Sequence, residues 1–298
     1  MLRKKDFISV VIPCYNHGAY IQEAVNSVLD QTYNNFEIII VDDGSNDRNT
    51  IKVLDELDDP KVTVLRKKNG YVSSARNHGI RYSLGEYILT LDADDMFAPT
   101  FLEKALPVLK EQPEIGVVTS YLRNFNNKGF QKIERTKGGG VENFLTENQC
   151  NASALFRYQC WADAGGYNES YNAITKGYED KDFWLSVARK GWKIYSIPES
   201  LFWYRTVPGS MSTNNISNRP EMVRRLVKRH KKAYREHVVD VIYKMELKIQ
   251  KVNEIKKSRT YKVGRILLSP LILIRDFSFS INKTKERFAK RKRVGMKY

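Results

Sequence analysis

Three acids, Asp92, Asp94 and Asp95, follow directly on the apolar run at residues 86–91. A strand that stops in clustered carboxylates puts negative charge at its C-terminal end, where open α/β sheets bind ligands. Such a cluster repels itself unless a cation sits in it. Hard oxygen ligands suit Mg²⁺ or Mn²⁺, and those ions in turn carry phosphates. The same residues also suit a turn or a helix N-cap, so this stretch alone leaves both readings open. A second set of acids, Glu179, Asp180 and Asp182, heads a helical pattern bounded by Gly177 and Gly191. A carboxylate there can act as a general base once positioned, or simply complement the helix dipole.

The elements that must position these acids are legible from periodicity. The runs at 7–12 and 36–41 read as buried strands, 61–65 as a third strand and the apolar run 86–91 as a fourth. Helical spacing fills the gaps, with Ile21, Ala24, Val25, Val28 and Leu29 in the first, and helices at 49–57 and 72–84 in the others. Strands alternating with helices at short intervals predict right-handed βαβ units and an α/β fold, a mostly parallel sheet flanked by helices. Beyond it, helices at 100–112 and 178–190 and strands at 116–121, 152–156 and 192–197 are expected. The polar, glycine-rich stretch 124–140 reads as a mobile loop.

From residue 220 a helical pattern runs to about 258, with Val238, Val241, Met245, Ile249, Val252 and Ile255 recurring every third or fourth residue. That stripe suits a coiled-coil seam joining two copies of the chain, or packing on the body. The apolar segment 266–274, with Pro270 inside it, is flanked by Lys262, Arg265 and Arg275. As a helix it would span only about 14 Å, too short for a bilayer. It can lie in the interface of an anionic membrane or dock as an ordinary helix.

The net charge of +16 belongs to this extension: residues 219–298 hold 25 of the 50 Lys and Arg but 7 of the 34 Asp and Glu. The expected division is therefore a domain at 1–218 and a basic helical extension at 219–298. Cys14, Cys150 and Cys160 have no metal-type or redox-type spacing, which suits a reducing compartment. The N-terminus lacks the pattern of a secretory signal, and no apolar run approaches the roughly 20 residues of a membrane span.

Four stretches in register then carry a resemblance. Val10, Val11, Ile12, Pro13, Cys14, Tyr15 and Asn16 come first; Val41, Asp42, Asp43, Gly44, Ser45 and Asp47 second; Asn69, Gly70, Ala75, Arg76, Asn77 and Gly79 third; Leu91 to Asp95 fourth. In order and spacing they resemble the family 2 inverting glycosyltransferases of the GT-A fold, a Rossmann-like architecture, over roughly residues 6–215. The resemblance implies that Asp42 reads the uracil of a UDP-sugar, that Pro13 belongs to the donor-binding set with Tyr15, whose ring suits a place beside the base, and that Arg76 contacts the nucleotide. It implies further that Asp94 ligates a Mn²⁺ or Mg²⁺ ion bridging the diphosphate, and that Asp92 faces the ribose or the ion. Tyr178 to Leu185 resemble the family's acidic pair, which makes Asp180 the base and leaves Glu179 to orient it or bind the donor sugar. Tyr204, Arg205 and the segment after them resemble the part that closes over the donor, although Thr206 and Val207 stand where many relatives have a histidine.

The expected function is metal-dependent transfer of a sugar from a UDP-sugar to a glycan or lipid-linked acceptor, in cell-surface polysaccharide synthesis at the inner face of a bacterial membrane. Two alternatives are weaker. The basic tail could bind nucleic acid, but aromatic residues are sparse there and its apolar segment has no use in that role, so no nucleic-acid partner is expected. A sugar-phosphate nucleotidyltransferase would show a glycine-rich basic loop after the first strand, where this chain has Tyr15, Asn16, His17 and Gly18.

Overall fold

The computed structural model describes residues 3–171, 177–207 and 219–261. Strand β1 (Lys4–Cys14) lies between the parallel strands β2 (Phe36–Asp42) and β4 (Gly85–Thr90), and β3 (Val62–Arg66) extends the sheet beyond β2. Side chains of a strand alternate between faces. Val10 and Ile12 accordingly join a core covered by helices α1 (Ile21–Leu29) and α4 (Phe101–Glu111). Val11 points to the opposite core, beside Ala75 and Ile80 of α3 (Tyr71–Tyr82). Both faces of β1, β2 and β4 are covered, which is why these three read as apolar runs, while β3 at the end of the sheet stays partly exposed. Helix α2 (Arg48–Asp55) completes this half, with Asp47 as its N-cap, accepting the Thr50 N–H at 2.8 Å.

The rest of the sheet changes direction. Strand order is β3-β2-β1-β4-β8-β6-β9-β5, where β8 (Leu155–Arg157) runs antiparallel between β4 and β6 (Ile115–Asn126). Strand β9 (Lys193–Arg205) is parallel to β6, and β5 (Met96–Phe97) pairs antiparallel with β9. The expectation of parallel pairing holds among β1 to β4; because β8 runs the other way, the sheet as a whole is mixed. Helices α5 (Val141–Phe144), α6 (Tyr158–Ala164) and α7 (Glu179–Ala188) lie in this half.

Two expectations need correction. The 124–140 stretch is not simply a loop: β6 turns at Gly129, φ +96°, into β7 (Gly129–Glu134), an antiparallel ribbon whose residues are all exposed. Its polar sequence fits a ribbon in water rather than the absence of structure. The 220–258 pattern is not one helix but three, α8 (Arg219–Arg229), α9 (Lys231–Glu236) and α10 (Val238–Lys257), interrupted at His230 and His237. His230 leaves helical geometry and buries its ring.

Contacts divide the chain into a unit at Met1–Val241 and a second at Ile242–Tyr298. The first unit includes α8 and α9, with Met222, Leu226 and Ala233 buried, so packing continues past residue 218, where the composition changes. On α10, Val238, Met245, Ile249, Val252 and Ile255 are exposed. The apolar segment 266–274 lies outside the described residues. Among the described residues no helix is long and apolar enough to cross a membrane.

Candidate active site

Arg76 joins three distant parts of the chain. Its guanidinium, 1 % exposed on α3, donates to Asp92 Oδ1 at 2.6 Å, just past β4, and to Glu179 Oε1 at 3.3 Å, in the first turn of α7. A planar, permanently charged fork suits such bridging better than an ammonium does. Burial lowers the proton affinity of Arg76, but Asp92, Tyr167 and Glu179 more than offset it. Asp92 is fixed from the other side, its N–H donating to Ser153 Oγ at 3.2 Å.

The acidic pair is set by a strained turn. Gly177 and Tyr178, which lead into α7, both have positive φ, +84° and +77°. Left-handed geometry at a tyrosine costs about 1–3 kcal/mol and marks a position that its surroundings enforce. Phe183 stacks on Tyr167 with centroids 3.9 Å apart, and Trp184 Nε1 donates to the Asn151 carbonyl at 3.0 Å. Asp182 Oδ1 lies 2.8 Å from His230 Nε2, and Arg189 Nη1 lies 3.1 Å from His230 Nδ1. Arginine can only donate, so Nδ1 accepts and the Nε2–H points at Asp182.

The carboxyls of Glu179 and Asp180 hold protons more tightly than usual. Glu179 is pushed up to about 7 by burial and then by the charge of Asp180, against the pull of Arg76. Its Oε2 is buried with no partner. Burial raises Asp180 as well; its bonds to the Lys181 N–H and to Asn148 Nδ2, the latter at 2.7 Å from Oδ2, work the other way.

The acids after β4 have separate surroundings. Asp95 is buried and committed, its Oδ1 accepting the Arg205 N–H at 2.9 Å. Arg205 Nε donates to the Asp94 carbonyl at 2.9 Å and its Nη2 to Glu23 at 2.9 Å, so the Tyr204-Arg205 segment staples the end of β9 to this loop. The Asp94 side chain stays half-buried and is raised by burial, with His17 and Arg205 opposing and Asp92 adding to the rise. Among the described residues no three His, Cys, Asp or Glu side chains gather as a metal cage. Two carboxylates, Asp92 and Asp94, are nevertheless the kind of donor set with which Mg²⁺-type ions sit on substrate phosphates.

Pro13, Tyr15 and Asp42 form the second group, at the C-terminal ends of β1 and β2. Pro13 lies in register with Val41, and Cys14 with Asp42. Asp42 is buried, its Oδ1 accepting the Ser45 N–H at 2.9 Å and its Oδ2 lying 3.7 Å from Arg66 Nε. Tyr15 is 44 % exposed. Asn16 Oδ1 accepts the N–H groups of Asn46 and Asp47 at 2.9 and 3.0 Å, tying the β1 and β2 loops together. Since β1 is parallel to both β2 and β4, every expected site residue on these strands falls at one edge of the sheet, where such folds bind ligands. Arg76, Asp92 and Glu179 are in direct contact, and Asp180 follows Glu179 on α7.

Several participants escaped sequence reasoning. Asp43 is buried, salt-bridged to Lys67 Nζ at 2.6 Å and accepting the Gly70 N–H at 3.0 Å; its place beside Asp42 was the available signal. Asn148 and His230 gave none, because only the folded chain brings them to α7.

Residues 9–162, more than half of the chain, match Glycosyl transferase family 2. The chain belongs to this family. Among its relatives this glycosyltransferase is 30 % identical to Bacillus subtilis TuaG, a protein named for teichuronic acid biosynthesis, across 72 % of this chain and 84 % of that one. It is 30 % identical to Pasteurella multocida hyaluronan synthase over 64 % of its own length but 19 % of the synthase. The solved structure of S. aureus TarS in complex with UDP-GlcNAc shares the fold, with a TM-score of 0.57 at 21 % identity, covering 70 % of this chain and 60 % of that one. The GT-A type of α/β architecture expected from the sequence is thus the one the enzyme has.

Proposed function

We propose that this glycosyltransferase moves one sugar, with inversion, from a UDP-sugar to a hydroxyl of a glycan or lipid-linked acceptor in polysaccharide synthesis. The observation that carries the reading is the Arg76 bridge, which holds Asp92 and the head of α7 in one charged cluster at the ligand-binding edge of the sheet. TuaG and hyaluronan synthase, by their names, support the polysaccharide setting, and the TarS complex makes UDP-GlcNAc the first donor to try.

In this reading Asp42 accepts the N3–H of uracil and Tyr15 lends a flat face beside the base, with Pro13 shaping the strand end. Asp94, with Asp92, would hold Mn²⁺ or Mg²⁺, and the ion would supply neutralisation of the charge on the diphosphate. Asp180 takes the proton of the acceptor hydroxyl as its oxygen attacks the anomeric carbon; the sugar–phosphate bond breaks and its electron pair leaves with UDP. Burial has raised Asp180, which makes its carboxylate a stronger base than a free aspartate. Glu179 orients Asp180 or binds the donor sugar. Work at the inner face of a membrane, with the basic extension held to anionic lipid, belongs to the same proposal.

The test is a UDP-sugar panel with and without Mn²⁺, on the unaltered enzyme, Asp94→Ala and Asp180→Asn. One UDP-sugar should bind with metal, lose that binding in Asp94→Ala, and keep it without turnover in Asp180→Asn. If no nucleotide sugar binds under any metal condition, the reading is wrong.

A further inference from the structure

A cavity of ≈ 470 Å³ is lined by Asn168, Ser170, Tyr171, Arg225, Lys228 and Arg229. None of these residues has a role in the reading above. The three cations fall at spacings of three and four on α8, so they share one face of that helix. Across from them, Tyr171 is 5 % exposed and closes the floor.

Among the described residues the cations of this cavity outnumber the acids that pair with them. Arg229 Nε lies 3.1 Å from Asp182, which also accepts from His230. Arg225 pairs with Glu221 at 3.5 Å on the surface, an acid it shares with Arg224 at 3.9 Å. The stretch 219–232 carries Arg219, Arg224, Arg225, Lys228, Arg229, Lys231 and Lys232 against the single acid Glu221. Two guanidiniums and an ammonium converging on a cavity of this size suit an oxyanion of more than one charge, and arginine forks match phosphate oxygens in particular.

Its position gives the cavity a purpose. Arg229 contacts Asp182, two residues from Asp180 on the same helix. The Tyr171 phenol is raised by burial and feels the charges of Asp182, Glu179 and Asp180, so the floor of the cavity is close to the acidic pair. We infer that this cavity is a subsite for a phosphate group carried by the acceptor, which holds the acceptor while its hydroxyl is presented to Asp180. The link to the acceptor rests on the proposed glycosyl transfer; the phosphate site itself does not.

The probe is inorganic phosphate, titrated by calorimetry into the full chain at low ionic strength with metal removed, using the unaltered protein and Arg225→Gln/Lys228→Gln. Both changed residues are exposed on α8, and Arg229, which pairs with Asp182, is kept. Saturable phosphate binding should weaken by about tenfold or more in the variant, as expected when charge-assisted bonds are lost. UDP binding with Mn²⁺ should be equal in the two proteins, and saturating UDP with Mn²⁺ should not displace phosphate. Equal phosphate affinity in both proteins, no binding to either, or displacement by UDP overturns the inference. So does recruitment of the unaltered protein, but not the variant, to phosphatidylglycerol vesicles without any binding of free phosphate, which makes this face a membrane surface instead. Absent UDP binding with phosphate binding intact would sink the transferase reading alone.

Discussion

Arg76 and Asp92 form an ion pair of 2.6 Å in which the arginine is fully buried and the aspartate still reaches solvent. A pair of this kind adds little net stability, yet removing one partner of a buried pair costs about 3–5 kcal/mol, because the other charge is left uncompensated. Arg76→Ala should lose about that much in urea denaturation, and Arg76→Ala/Asp92→Asn/Glu179→Gln should recover much of it. Arg76→Lys should fold better than Arg76→Ala but fail in turnover, because a point charge cannot bridge both acids. Equal stability of Arg76→Ala and the unaltered enzyme would show that the bridge does not hold the site.

Glu179 makes stability depend on pH with a definite sign. Its pKa rises from 4.5 in the unfolded chain to about 7 in the fold, so the folded state keeps a proton that the unfolded chain releases. The resulting stability is complete below pH 4.5 and is lost as pH climbs through 7. At pH 8 Glu179→Gln should exceed the unaltered enzyme by about 1–3 kcal/mol, and the difference should vanish towards pH 4.5. Asp180 is raised too, so the slope should shrink in the variant without disappearing. Thermal melts across this pH range measure it, and a difference that grows towards acid would contradict the account.

Gly79 explains one small residue of the third sequence stretch. A Cβ added there would stand 2.5 Å from Val11 Cγ1 and 3.0 Å from Val41 Cγ2, so α3 lies on β1 and β2 as closely as a helix can. Gly79→Ala should therefore destabilise by about 1–3 kcal/mol, the usual cost of overpacking. Val11→Ala alone should also destabilise, while Gly79→Ala/Val11→Ala should be more stable than the sum of the two losses predicts. Simple additivity in a double-mutant cycle would mean the close approach is not what excludes alanine.

Strands β1, β2 and β4 were legible because each is buried on both faces and reads as an apolar run, and β1 to β3 are each followed by a helix whose period differs. Asp92 and Asp94 were visible because they close an apolar run, and Glu179 because it heads a helical pattern; each position also suits a cap or the helix dipole, so the motifs in register decided the reading. What their neighbours do was not visible. Asp95 reads like its neighbours, but it is the residue that anchors Arg205, from more than a hundred positions away. The antiparallel entry of β8 depends on three residues, too few for a period to appear. The break at His230 could not be read from helical spacing, which continues through it; only the buried acid on α7 shows why the helix stops there.

That break supplies the last prediction. His230 and Asp182 are both buried, 2.8 Å apart, and through them α8 and α9 press on the helix that carries Glu179 and Asp180. Removing the imidazole leaves a cavity and takes from the buried carboxylate of Asp182 one of its two partners, His230 and Arg229 at 3.1 Å. His230→Ala should therefore lose about 2–4 kcal/mol from cavity and unpaired charge together. His230→Gln, which can return an N–H to Asp182, should restore part of that loss, and His230→Leu, which fills the space without a donor, should restore less. If leucine rescues as well as glutamine does, volume rather than the hydrogen bond to Asp182 holds α8 and α9 against α7.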